Sequence, residues 1–73
     1  MNVYSYEFEG HWDEAFVIVS AKSTKTAEKV AKEWGYKQTY DRKAFDIVNS
    51  KKLENIKYEG NKPTVIVGHY WVM

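Results

Sequence analysis

The chain has no cysteine, a single proline and four scattered glycines. Without cysteine there is no disulfide framework and no thiolate zinc site. Gly10, Gly35, Gly60 and Gly68 stand too far apart to form a phosphate-cradling loop. Its longest uninterrupted apolar run, residues 15–19, falls far short of the roughly 18 residues a membrane-crossing helix requires, so no membrane partner is expected. No basic-then-apolar leader opens the sequence, and the expected compartment is the cytoplasm. No linker, repeat or low-complexity stretch divides the chain, which reads as one domain over residues 1–73.

What the sequence does have is aromatic content. Of 73 residues, 44% are hydrophobic and 16% aromatic, which excludes a disordered tail. A domain this small buries only about 60% of the surface its unfolded chain exposes. Its six Tyr, three Trp and three Phe supply large buried area per residue, so packing is the first role expected of each. Charge is nearly balanced overall, at +1, but not along the chain. Residues 1–20 hold Glu7, Glu9, Asp13 and Glu14 and no Lys or Arg, for −4, and residues 21–73 carry +5. A surface with two signs can orient a partner.

Residues 2–8 alternate, with Tyr4, Tyr6 and Phe8 on one side and Val3, Ser5 and Glu7 on the other, the period of a strand. A polar connection over 9–14 leads to a second strand over 15–22, rich in β-branched residues. Ser23 is placed to cap a helix over 24–34, with Ala27, Val30, Ala31 and Trp34 recurring as one apolar stripe. Gly35 stands where a left-handed C-terminal cap would fall. Residues 36–52 fit two descriptions. Asp41 could cap a short helix holding Ala44, Phe45, Ile47 and Val48, or residues 45–48 could be a short strand; the helix is preferred. Residues 53–58 and 64–72 read as strands joined through the turn cluster 59–63, a second hairpin.

The expected fold is therefore a two-layer α+β domain in the order β-β-α-short element-β-β, with an antiparallel sheet of about four strands and one main helix on one face. One face of such a sheet lies under the helix and the other should be wet. Yet Phe16 and Ile18 oppose Val17 and Val19, and Val65, Val67 and Trp71 oppose Ile66, Tyr70 and Val72. Both sides of these strands are apolar. Either residues 36–52 wrap onto the second face, or the sheet is strongly curled, or that face is a contact for a partner or a second copy of the chain.

The polar residues form no catalytic or metal-binding pattern. His11 and His69 have no H-x-x-x-H spacing, and the serines lack a nucleophile elbow, so no enzyme, cofactor or metal is expected. Eleven basic residues interleaved with Tyr36, Tyr40 and Tyr58 allow an alternative reading, a single-stranded nucleic-acid binder using lysines and tyrosines. The strand–helix join over residues 17–31, V-I-V-S-A-K-S-T-K-T-A-E-K-V-A, resembles that of small β–β–α proteins of phages and mobile elements, such as DpnD/PcfM-like and small anti-CRISPR proteins. That resemblance implies a phage or mobile-element accessory protein and assigns no functional residue. The leading expectation is a non-enzymatic protein-interaction module that binds and blocks a host protein, with Trp12, Asp13 and Glu14 in the first loop and Tyr70 and Trp71 in the last strand as partner-binding residues.

Overall fold

The structure, a computed structural model, describes residues 1–73. Its elements are β1 (Asn2–Glu9), β2 (Asp13–Ala21), α1 (Thr24–Gln38), β3 (Asp46–Lys57) and β4 (Thr64–Val72). The strands form one antiparallel sheet in the order β3-β1-β2-β4, and α1 covers one face. The α+β class, the four strands and the single main helix are those expected.

The alternation in β1 decides which face is covered. Tyr4, Tyr6 and Phe8 join Ala15, Val17, Val19 and Ala21 of β2 in a buried layer beneath Ala27 and Ala31 of α1. Alanine on the inner face lets the helix axis lie close to the strands. The Ser23 hydroxyl accepts from the Thr26 N–H at 3.3 Å and so caps the first turn. Trp34 lies across β4 at Gly68, where a β-carbon would overlap the indole.

Three local expectations are corrected. Gly35 does not end the helix: it sits inside α1, buried, and its φ is not positive. A β-carbon there would lie 2.8 Å from the Phe8 ring, so Gly35 makes room for a core aromatic instead of a turn. The helix runs on to Gln38 because Tyr36 still packs on the core, and Thr39 closes it by donating its N–H to the Gly35 carbonyl at 3.2 Å. Residues 36–52 contain no second helix. The Asp41 side chain accepts from the Lys43 N–H at 3.1 Å and its carbonyl from the Ala44 N–H at 3.2 Å, which makes a single turn. Phe45 then plugs into the helix side of the sheet, stacked on Phe8 at 5.1 Å and edge-on to Tyr70 at 6.0 Å. From there the chain becomes β3, which satisfies the free edge of β1 and absorbs the strand expected over 53–58.

The second hairpin is absent. β3 pairs with β1 and β4 with β2, so the segment between them crosses the end of the sheet to the opposite edge. The β1–β2 hairpin fills the centre and leaves two edges, and each later strand takes one. The turn cluster at 59–63 was the right place for a break but carries no information about which neighbour the next strand will choose.

Candidate functional site

Residues 36–52 do not wrap onto the second sheet face: that face is open around Phe16, Val67 and Trp71, while Val3 and Ser20 at its far end are buried. The pairing registers give that face as four rows running across β3, β1, β2 and β4. The first row is Asp46, Glu9, Glu14 and Trp71; the second Asn49, Glu7, Phe16 and His69; the third Lys51, Ser5, Ile18 and Val67; the fourth Leu53, Val3, Ser20 and Thr64. Paired residues on neighbouring antiparallel strands point to the same side with β-carbons about 4.5–5.5 Å apart, so each row is a line of neighbouring side chains.

Two features emerge that the chain order conceals. The first is an apolar strip over β2 and β4. Phe16 and Ile18 are half-buried, Trp71 is 38% and Val67 52% exposed, and the His69 and Trp71 rings stand 5.2 Å apart. The second is the acidic first row, where Asp46, Glu9 and Glu14 stand on three successive strands. The chain's ion pair is Lys32 with Glu28 on the helix, so none of these three carboxylates has a cation. Glu7 accepts a 3.4 Å hydrogen bond from the Asn49 amide. A cleft of about 330 Å³ lies between Glu7, Glu9 and Glu14 on one side and Phe16 and Trp71 on the other. No group of three such side chains is placed to hold a metal ion.

The five residues expected to bind a partner separate. Glu14 and Trp71 are neighbours in the first row. Trp12 is 75% exposed in the adjoining hairpin loop, where its carbonyl accepts from the Met73 N–H at 2.7 Å. Asp13 and Tyr70 lie on the other side of the sheet, turned inward. Asp13 is only 6% exposed, and its Oδ2 accepts from the Thr39 hydroxyl at 2.6 Å and from the Tyr70 hydroxyl at 2.7 Å. The hydrogen bond to Asp13, aided by burial, pushes the Tyr70 phenol up to about 12. This pair ties the end of α1 to β2 and β4 and is occupied with that task.

Sequence reasoning placed Phe16 and Ile18 on this face but missed Glu7, Glu9, His69 and Asp46 as members of the site. Glu7 and Glu9 were visible as the wet side of β1, but only the register sets them beside Phe16 and Glu14. Asp46 had no signal, because its strand was not recognised. The lysines fall elsewhere: Lys25, Lys29 and Lys32 lie along the helix, and Lys51 alone reaches the four rows.

No helix of the chain is long and apolar enough to cross a membrane. No protein-family model matches the sequence, and no curated protein or solved structure is similar to it.

Proposed function

We propose that the open sheet face is a protein-binding surface and that the chain is an interaction module acting by covering part of its partner. The observation that carries this reading is the first row. Like charges directly opposite one another on neighbouring strands are destabilising, by up to about 1 kcal/mol each. Asp46, Glu9 and Glu14 accept that arrangement beside an exposed indole. A cationic side chain entering the cleft would relieve the repulsion and could lie on the Trp71 face. Arginine fits best, because its planar fork pairs with carboxylates through two parallel hydrogen bonds. The rest of the partner segment would be apolar and lie along Phe16, Ile18 and Val67. The further assignment to a phage or mobile element rests on the resemblance over residues 17–31 alone.

The same face speaks against a nucleic-acid strand. Its aromatics would stack bases, but the carboxylates beside them repel phosphates, and most lysines are on other surfaces. Both readings are tested by one titration of isotope-labelled protein, followed by amide chemical shifts. The probes are a short peptide of alternating Arg and Leu, the same peptide with Glu for Arg, and an oligothymidine. The proposal expects the Arg peptide alone to move Glu7, Glu9, Glu14, Phe16 and Trp71, with binding weakened by salt and lost in Glu9→Lys. A response to the oligothymidine instead would transfer the face to nucleic acid. Indifference to all three would remove it as a binding surface.

A further inference from the structure

We infer that β4 is a self-association edge, through which two copies of the chain join their sheets antiparallel about a two-fold axis at Tyr70. This does not rest on the proposed role of the open face: it concerns the unpaired backbone of the outer strand, whose side chains His69 and Trp71 border that face.

The two outer strands of the sheet are not alike. An exposed strand edge offers free N–H and C=O groups to any extended chain, and proteins guard such edges with charge and irregularity. β3 is guarded in both ways. It carries Asp46, Lys51, Lys52, Glu54 and Lys57, its pairing with β1 slips twice, and Asn55 takes a left-handed conformation at φ 63°. β4 reads T-V-I-V-G-H-Y-W-V, with no acidic residue, lysine or arginine. Its one irregularity lies opposite Ile18 and Val19, where Ile66 is left over. Beyond that point residues 67–73 run regularly.

The phase of the free backbone follows from one hydrogen bond. The Met73 N–H donates to the Trp12 carbonyl at 2.7 Å. In an antiparallel ladder the amides of successive residues point alternately to the two sides. Trp71, His69 and Val67 therefore turn their backbone groups toward β2, and Val72, Tyr70 and Gly68 turn theirs to the open edge. Tyr70 is the midpoint of the regular segment and also one of the outward residues. A two-fold axis there pairs Tyr70 with its own counterpart and Gly68 with the partner's Val72, so that every outward donor meets an acceptor.

The side chains suit this register. On the open face it sets each His69 beside the partner's Trp71, extending across the seam the ring contact already made within one chain. On the helix face Gly68, with the Trp34 indole lying across it, stands opposite the partner's Val72, a residue 55% exposed in the single chain. With no acidic residue, lysine or arginine on β4, no carboxylate, ammonium or guanidinium of one β4 faces its like on the other. The product is one sheet of eight strands in which only the guarded β3 edges remain open.

The test is sedimentation equilibrium combined with hydrogen exchange on the whole chain. The expected result is a dimer with a dissociation constant tighter than about 1 mM. The amides of Gly68, Tyr70 and Val72 should gain protection as concentration rises, and those of Val67, His69 and Trp71 should be protected at every concentration. Val72→Pro removes an outward N–H and leaves the β2–β4 ladder intact, so it should weaken dimerisation at least tenfold with an unchanged circular dichroism spectrum. A monomer at 1 mM overturns the inference. So does a dimer in which those three amides exchange freely, a result that stands even if the proline variant fails to fold.

Discussion

Replacing Asp13 with alanine should bring the domain close to unfolding, although Asp13 touches no other charged side chain in the hydrogen-bond network. One carboxylate oxygen accepts from both Thr39 and Tyr70, at 2.6 and 2.7 Å. Hydrogen bonds to a charged group contribute about 1.5–3 kcal/mol each, and the two hydroxyls left behind would lose their acceptor. The expected loss is about 3–5 kcal/mol. A chain of 73 residues has about 4–11 kcal/mol in total at the usual stability per residue, so the variant sits at the margin. Asp13→Asn keeps an oxygen that can accept from both hydroxyls and should lose only about 1 kcal/mol. Urea denaturation measures both losses. Phenolate absorbance supplies a second readout with a definite sign. The folded state holds the Tyr70 proton up to about 12, against an ordinary value of 10.0, so this contribution is complete below pH 10 and disappears as pH rises through 12. Without the carboxylate at position 13 the Tyr70 titration should fall back toward its ordinary range. An alanine variant within 1 kcal/mol of wild type, with the Tyr70 titration unmoved, would refute the reasoning.

Gly35→Ala sets two effects against each other: alanine favours the helix by about 1 kcal/mol, but its methyl would press on Phe8, which Phe45 holds in place. Overpacking costs about 1–3 kcal/mol, so a net loss in urea midpoint is expected, and a gain would mean that the ring is free to move. Tyr6→Phe should be neutral or stabilising by up to about 1 kcal/mol, because the Tyr6 hydroxyl is buried without a partner; a large loss on thermal denaturation would contradict that geometry. Burial, with Glu28 nearby, also pushes the Tyr6 phenol up to about 12, so in this variant part of the stability loss between pH 10 and 12 should vanish. Ser23→Ala should cost about 1 kcal/mol and speed hydrogen exchange at Thr26, whose N–H the serine caps.

The parts of the fold that depend on local periodicity were legible in the sequence. Tyr4, Tyr6 and Phe8 declare a covered strand face by spacing alone, and Ser23 with the Ala27, Val30, Ala31, Trp34 stripe declares the helix. What failed depends on contacts between distant residues. Gly35 looks like a helix stop unless it is known that Phe8 lies under it. Phe45, Ile47 and Val48 have a composition that suits either state, and only the vacant edge of β1 makes them the entry to a strand. Asp13 looks like a loop acid until its two hydroxyl donors, far apart in the chain, are brought to it. For the candidate site, the surplus of apolar residues on β2 and β4 was readable, but the acidic row was not. Its members come from three strands, and their adjacency is a property of register.

The strand order also bears on how the chain assembles. Only β1 and β2 pair with a neighbour in sequence; Asn2 waits for Lys57 and Ser20 for Thr64. Closing those long loops costs entropy that no contact repays until the central pair is formed. The transition state for folding should therefore hold the first hairpin and the helix lying on it, with substitutions at Val17 and Ala31 slowing folding and those at Leu53 and Val67 mainly hastening unfolding. The outer strands, which carry Trp71 and the unguarded edge, would be the last to dock and the first to fray.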